Sequence, residues 1–269
     1  MMTKSIRGAF TRAVLAVSLL TALASVTKAA SLEELKAQGT IKIVTTASSP
    51  PHGFVDPRTS KLSGIMVEVA DLIAKDLNTK VEFTEVPFGG LIGTITSGRA
   101  DLMSAPLFVT PERATVLDFS DPIYGWGEGV VVRDDSKKSF TDLHSLSGNT
   151  IGVLTGSVQL KSVQNVPGIK EVRTYPDYVT ILAEVRSGRI DGALIDPPSV
   201  AYQMKDRGIT GVHVVKDFKP EKTFYVALAV MKGNKSLLDA VNASVAKNKA
   251  NGEIGKILAR WGVGDLAAK

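Results

Sequence analysis

The feature that most constrains the fold of this chain is a motif, Ser-Gly-Arg-x-Asp, that occurs at residues 97–101 and again at residues 187–191. Each copy follows a stretch with apolar residues at helical spacing and precedes a short apolar run. This order predicts a helix, a glycine that ends it, and then a strand. An earlier pair of segments, residues 39–48 and 148–157, also matches, since each starts at a glycine and ends in small hydroxyl residues. Two matching pairs in the same order predict two copies of one structural unit.

Further helices and strands are predicted around the matching segments. Residues 66–77 have apolar side chains at the spacing of a helix, and residues 81–86 alternate as a strand does. Two C-terminal helices are predicted near residues 236–251 and 253–261. Strands that alternate with helices form parallel sheets covered by helices. The predicted fold class is therefore α/β, with two Rossmann-like lobes.

Two segments are suited to carry the chain between the lobes. Residues 125–129 are rich in glycine, and residues 223–230 form a second long strand pattern, which predicts a hinge of two strands. The expected organisation is a first lobe of residues 30–127 and 222–269 and a second lobe of residues 128–221. Ligands bind beyond the carboxyl ends of parallel strands and in clefts between domains. The expected site therefore lies between the lobes.

The N-terminal segment has the pattern of a signal peptide. Three basic residues and no acid precede an apolar run at residues 13–24, and small residues follow at 25–30. A membrane-spanning helix is the alternative, but it needs ~20 apolar residues. We expect residues 1–29 to be a signal peptide, cleaved after Ala29 or Ala30, and the protein to be periplasmic.

Composition argues against several classes of function. The net charge is +5, but four basic residues lie in the predicted signal peptide, which leaves 28 basic against 27 acidic residues and no indication of a nucleic-acid partner. The absence of cysteine excludes a disulfide framework, thiol catalysis and lipid attachment at the cleavage point. His52, His144 and His213 lie too far apart in sequence to predict a metal site, and no cofactor motif is present.

Arg113 is the first candidate ligand-binding residue. Thr110 followed by Pro111 is typical of a helix start. Arg113 would then lie in the first turn, where the helix dipole disfavours a cation. A ligand carboxylate, bound through two parallel hydrogen bonds, would explain a guanidinium at that place. The alternative is an ion pair with a nearby surface acid.

The predicted second lobe supplies two further candidates. Ser157 lies between a strand and a helix, where its hydroxyl and the free amides favour an anion, although an ordinary capping serine has the same pattern. Asp196 ends a buried strand, so it needs a partner: a ligand ammonium would serve, and a helix cap before Pro197 is the alternative. Other candidates, at predicted strand ends or on a loop, are Phe88, Ser104, Phe108 and Thr155. The remaining scattered aromatic residues are interpreted as core: Phe54, Tyr124, Trp126 and Tyr178.

Together these residues resemble the solute-binding proteins of polar amino-acid ABC importers, which have the type II periplasmic binding fold. The resemblance covers nearly all of the chain after the predicted signal peptide. The segments that carry it are residues 86–92, 97–101, 110–113, 118–124, 152–157 and 188–196.

The resemblance implies a role for each main candidate. Arg113 would bind the α-carboxylate of the ligand with help from Ser157, Asp196 would bind the α-ammonium, and Phe88 would form a wall for the ligand side chain. The implied protein is a monomer that closes around a small molecule and hands it to the membrane permease of an ABC importer.

The chain departs from the family at Ala105, Pro106 and Phe108, where hydroxyl or small residues often help to hold the ammonium. A ligand that is more apolar, or that lacks a standard α-ammonium, therefore stays open.

Two alternatives to transport also stay open. Cyclohexadienyl dehydratases resemble this fold and use an acid in the cleft as a proton donor, a role that a raised pKa would give Asp196. The sequence offers no accompanying histidine or second carboxylate for such a reaction. A sensory or partner-binding module is the other alternative, but such modules usually carry a membrane helix or an output domain, and the sequence shows a pattern for neither.

Overall fold

The computed structural model describes residues 30–268, so the predicted signal peptide, residues 1–29, lies outside the described part of the chain. Within residues 30–268, no helix is both long enough and apolar enough to cross a bilayer.

Strands and helices alternate along these residues. The strands are β1 (Thr40–Thr45), β2 (Ser48–Ser49), β3 (Gly53–Asp56), β4 (Lys61–Ser63), β5 (Lys80–Glu85), β6 (Leu102–Met103), β7 (Leu117–Phe119), β8 (Tyr124–Gly127), β9 (Gly129–Arg133), β10 (Thr150–Leu154), β11 (Glu171–Tyr175), β12 (Gly192–Ile195), β13 (Val212–Val214), β14 (Thr223–Val226) and β15 (Ala229–Met231). The α-helices are α1 (Leu32–Gln38), α2 (Ile65–Asp76), α3 (Leu91–Thr96), α4 (Val158–Gln164), α5 (Tyr178–Arg186), α6 (Pro197–Asp206), α7 (Lys235–Ala250) and α8 (Glu253–Arg260). Helices α7 and α8 lie within one residue of the two predicted C-terminal helices.

Two five-stranded sheets with the same pattern of parallel and antiparallel pairing form the centres of the lobes. In the first sheet, β1 is parallel to β5 and β6, β15 is antiparallel to its neighbours β6 and β7, and the order is β5-β1-β6-β15-β7. In the second sheet, β10 is parallel to β11 and β12, and the order is β11-β10-β12-β9-β13. The repeated unit and the two-lobed α/β fold are therefore confirmed.

Strands β8 and β14 form the hinge between the two sheets. They pair antiparallel, from Tyr124 opposite Val226 to Gly127 opposite Thr223. Gly125 is required there, because a β-carbon would come 2.4 Å from the backbone oxygen of Phe224. The single strand expected over residues 223–230 is two strands instead, since β14 pairs with β8 whereas β15 enters the first sheet. The exact lobe boundaries stay a prediction.

The repeated motif joins the end of a helix to β1 in the first sheet and to β10 in the second. Asp101 Oδ2 accepts a hydrogen bond of 2.9 Å from the Lys42 amide, and Asp191 Oδ2 accepts one of 2.8 Å from the Thr150 amide. Each aspartate amide donates back to the same residue's carbonyl at 2.9 Å. The two motif glycines have positive φ angles of 69° and 71°, as expected at a helix end. The repeated motif therefore has a structural role, because it ends a helix and fixes the position of a strand.

We predict that Asp191→Ala lowers the free energy of unfolding by about 1–3 kcal/mol, because the buried Thr150 amide loses its charged acceptor. Urea denaturation followed by circular dichroism measures the change. Asp239→Ala, at an exposed position of α7, is the matched control. Equal stability of the two variants would contradict this role of the motif.

Candidate functional site

Arg113 extends from the first lobe to the second. It begins a short 3₁₀ helix, Arg113–Thr115, and its amide donates to Thr110 Oγ1 at 3.2 Å, so the expected helix start is a capped single turn. Its Nη1 donates to the carbonyl of Phe108 at 2.8 Å, and its Nη2 donates to the carbonyl of Gly156 at 3.1 Å. Both acceptors are neutral, so no carboxylate is hydrogen-bonded to the guanidinium.

Burial sets the electrostatics of Arg113. The residue is 8% exposed, and burial lowers the pKa of its guanidinium to about 10, against the opposing effects of Asp196 and Glu112. It therefore stays charged at neutral pH. The expected alternative, an ion pair with a surface acid, is not formed with the adjacent Glu112, whose carboxylate pairs with Lys161 of α4 instead.

Asp196 is buried at the start of α6 and accepts three hydrogen bonds. Its Oδ1 accepts from Trp126 Nε1 at 2.8 Å and from Gln159 Nε2 at 2.7 Å, and its Oδ2 accepts from the Tyr178 hydroxyl at 2.6 Å. Burial raises the pKa of this carboxyl, and the three donors and Arg113 oppose that rise. The side chain does not cap α6. Its three donors are all uncharged.

Aromatic rings fill the space beside Asp196. Trp126 is stacked on His52, with ring centroids 4.8 Å apart and an interplanar angle of 8°, and it contacts Phe108 at a centroid distance of 4.8 Å. His52 is fully buried, its Nδ1 lies 2.7 Å from the Tyr124 hydroxyl, and burial lowers its pKa to about 3, so the ring is neutral. Phe108, one of the departures from the family pattern, thus packs against the tryptophan that binds Asp196.

The remaining predicted site residues make local contacts. Ser157 caps α4 by accepting a hydrogen bond of 3.4 Å from the Leu160 amide. Thr155 donates to the Tyr175 carbonyl at 3.0 Å. Ser104 is fully buried and donates to the Met66 carbonyl at 2.6 Å. Phe88 is 7% exposed and belongs to an apolar cluster that includes residues of both sheets.

A cavity of about 740 Å³ lies beside Arg113. Its lining comes from the segment that ends at Arg113, the residue after β8, the start and one face of α4, and the segment that leads into β14. The lining residues are 109–113, 128, 143–144, 156–158, 161–162, 165–166 and 221–225. Of the seven predicted site residues, Arg113 and Ser157 line this cavity, whereas Phe88, Ser104, Phe108, Thr155 and Asp196 do not. Within residues 30–268, no cluster of three or more metal-ligating acids or histidines occurs.

Glu128 is a charged residue of this cavity that the sequence analysis missed. It is 4% exposed, and its Oε1 accepts a hydrogen bond of 2.8 Å from the Ser162 hydroxyl. Burial raises the pKa of its carboxyl to about 7. The available signal was an acid between two glycines, directly before the apolar run at residues 130–132. Trp126, Gln159 and Tyr178 were also missed as partners of Asp196.

The chain matches the bacterial extracellular solute-binding proteins, family 3, over residues 41–264. Among curated relatives, it is 28% identical to the L-cystine-binding protein of Escherichia coli strain K12 over 231 residues, which are 86% of this chain and 85% of the relative. It is 29% identical to arginine-binding protein 1 of the same strain over 218 residues, which are 80% of this chain and 88% of that one.

Solved structures of amino acid-binding proteins are also similar to this chain. An ancestral arginine-binding protein bound to arginine is 32% identical, with a TM-score of 0.77 and coverage of 83% of this chain and 98% of its own. The ancestral amino acid-binding protein AncCDT-1, a precursor of cyclohexadienyl dehydratase, is 28% identical, with a TM-score of 0.77 and coverage of 86% and 98%.

We predict that Tyr178→Phe lowers the free energy of unfolding by about 1.5–3 kcal/mol, because a buried carboxylate loses one of its three donors. Tyr225→Phe, at a residue that is 45% exposed, is the control. Denaturant titration of both variants at pH 7 measures the difference, and a cost no larger than that of Tyr225→Phe would show that Asp196 does not need this donor.

Glu128 should make the stability of the unliganded protein depend on pH. Its folded pKa of about 7 exceeds its ordinary value of 4.5, so the folded state holds the proton longer than the unfolded state. Relative to Glu128→Gln, the wild type should therefore lose about 3 kcal/mol of stability as pH rises from 4.5 to 7, at ~1.4 kcal/mol per pKa unit. Unfolding free energies across this range test the effect, with Glu33→Gln, at an exposed position of α1, as control. Parallel pH profiles for the wild type and Glu128→Gln would refute it.

Proposed function

The chain belongs to the bacterial extracellular solute-binding proteins, family 3, and from this premise we propose that it captures an amino acid or a related small carboxylate and delivers it to an ABC importer. The observation that carries the proposal is the buried guanidinium of Arg113, which lines an interlobe cavity and is hydrogen-bonded only to neutral carbonyl oxygens. A buried cation of this kind is stabilised by a carboxylate that enters the cavity.

The named ligands of the relatives share the group that Arg113 would bind. Curated relatives are named for binding cystine, arginine, histidine and glutamine. Solved structures of an ancestral relative contain arginine and glutamine. All of these compounds have an α-carboxylate beside an α-ammonium, whereas their side chains differ in size and charge. We therefore assign the α-carboxylate to Arg113, with Ser157 and the start of α4 beside it.

The chain is a binding protein rather than an enzyme, as are these curated relatives by name. We propose that residues 30–127 and 222–269 form one lobe, that residues 128–221 form the other, and that the protein acts as a monomer. The hinge pairing of β8 with β14 supports this division. Contacts of Arg113 with Gly156 and of Glu112 with Lys161 would then join the lobes in the closed form that the permease recognises.

We further propose that residues 1–29 direct export to the periplasm and are removed. Contacts at the first described residues support a cut at this place. Ser31 and Glu34 form a capping box at the start of α1, and Asn234 Nδ2 donates to the Ala30 carbonyl at 2.9 Å. Cleavage after Ala29 leaves both contacts in place, and N-terminal sequencing of the exported protein tests it.

We predict that Arg113→Ala weakens ligand binding by about 2–5 kcal/mol, because a charge-assisted contact in a buried site is lost. The ligand is first found by thermal-shift screening against the standard amino acids, cystine and related small carboxylic acids, and its affinity is then measured by calorimetry. Arg99→Ala, at an exposed arginine outside the cavity lining, is the matched control.

Because Arg113 also binds two carbonyl groups, circular dichroism and the melting temperature of the free variant must show that it is folded. Unchanged affinity in a folded Arg113→Ala would remove Arg113 from the site. A wild type that binds none of the compounds would refute the proposed function.

A further inference from the structure

We propose that Tyr202 is a positioning residue for ligand capture, because its ring joins α6 of the second lobe to two aromatic rings of the first lobe. The inference rests on the proposed function and adds a residue that acts on binding through the arrangement of the lobes. Tyr202 does not line the cavity beside Arg113, so its effect on affinity is indirect.

Tyr202 contacts the rings of Phe54 and Trp261. The ring centroids lie 5.4 Å apart for Tyr202 and Phe54 and 6.0 Å apart for Tyr202 and Trp261. Phe54 and Trp261 meet edge to face, with centroids 5.7 Å apart and an interplanar angle of 86°. Arg207, directly after α6, lies 5.3 Å from the centroid of the Phe54 ring. Contacts at these distances are attractive, and the four residues are called the interlobe ring cluster below.

The interlobe ring cluster joins elements of different sheets. Phe54 lies in β3 and Trp261 directly follows α8, and both elements pack against α2, which lies on β1 of the first sheet. Tyr202 lies in α6, which packs against β9 and β13 of the second sheet. The other aromatic pairs of residues 30–268 lie within the first lobe. A rotation of the lobes about β8 and β14 would therefore separate Tyr202 from its ring partners.

The first-lobe side of the cluster is held in place by hydrogen bonds and packing. Trp261 Nε1 donates to Glu68 Oε1 of α2 at 2.7 Å, and Arg260 forms an ion pair with the same carboxylate. Phe54 is 2% exposed. These rings are fixed by contacts of their own lobe, so little side-chain freedom is lost when Tyr202 packs against them.

Opposite charges surround the rings. Asp56 and Arg58 belong to the first lobe, and Asp206 and Arg207 to the second. The pKa of Asp56 is lowered chiefly by its hydrogen bond with Arg58 and also by the charge of Arg207. The pKa of Arg58 is raised chiefly by its hydrogen bond with Asp56 and also by the charge of Asp206. Salt screens such exposed charges, so the rings make the main contribution to the contact.

The helix that carries Tyr202 begins at Asp196, six residues earlier. Under the proposed function, Arg113 of the first lobe binds the ligand carboxylate, and the family resemblance assigns the ligand ammonium to Asp196. A zwitterion can contact both groups only while α6 stays close to the first lobe. The interlobe ring cluster stabilises this arrangement, and the apparent affinity follows the population of the arrangement that binds the ligand.

The test compares the wild type with Tyr202→Ala, Tyr202→Phe and the control Lys205→Ala, at an exposed position of α6. The ligand is the compound found by thermal-shift screening, calorimetry gives its affinity, and stopped-flow fluorescence gives its dissociation rate. Tyr202→Ala removes two ring contacts, so it should weaken binding by about 5- to 100-fold, mainly through faster dissociation. Tyr202→Phe keeps the ring, so it should stay within about twofold of the wild type, as should Lys205→Ala.

A double-variant cycle tests whether the effect crosses between the lobes. Tyr202→Ala and Trp261→Ala remove the same ring contact from opposite sides, so the double variant should lose less affinity than the product of the two single losses. Circular dichroism and melting temperatures of the free proteins show that each variant is folded. Tyr202→Leu, which lacks a ring but favours a helix, replaces Tyr202→Ala if that variant does not fold.

Each result decides one question. Affinity of folded Tyr202→Ala, or of its Tyr202→Leu replacement, within twofold of the wild type would overturn the role of Tyr202 and leave the proposed function standing. An equal loss in Tyr202→Phe, or fully multiplicative losses in the double variant, would do the same. Failure of every screened compound to bind the wild type would overturn the proposed function, and the role of Tyr202 with it.

Discussion

The buried carboxylate of Asp196 organises the centre of the molecule. An ion in this place is tolerated because the Trp126 indole, the Gln159 amide and the Tyr178 hydroxyl each donate to it. These donors come from the hinge strand β8, from α4 and from α5, so one anion fixes three elements relative to one another. The same arrangement holds Trp126 against His52 and Phe108, which closes the space beside Asp196 and leaves the open volume beside Arg113.

The two lobes contact each other through glycine residues as well as through charged side chains. Gly156 has a φ of 78°, and a β-carbon there would come 3.1 Å from the Cα of Gly89 in the other lobe. The carbonyl of Gly156 accepts from Arg113 at the same contact. The nearby ion pair of Glu112 with Lys161 has both side chains more than half exposed, so it contributes little and is screened by salt. The buried contacts therefore set the position of the lobes.

The sequence predicted the parts of this structure that depend on local pattern. The repeated motif, the periodicity of the helices and the order of the strands were sufficient for two α/β lobes and a hinge. The position of Arg113 after Thr110-Pro111 was sufficient to single it out. The partners of Asp196 were not predictable, because Trp126, Gln159 and Tyr178 lie 70, 37 and 18 residues away and meet only in the folded protein. Glu128 was missed because its partner Ser162, in α4, lies 34 residues away, and an acid between two glycines does not indicate that contact.

The order of strands along the chain has a consequence for the order in which the two lobes fold. All strands of the second sheet, from β9 to β13, lie within one continuous stretch, residues 129–214. The first sheet lacks its fourth strand until β15, residues 229–231, becomes available. Closing the shorter loops costs less chain entropy. We therefore expect the second lobe to fold first. The sheet of the first lobe would stay incomplete between β6 and β7 until the C-terminal part of the chain is available to fold.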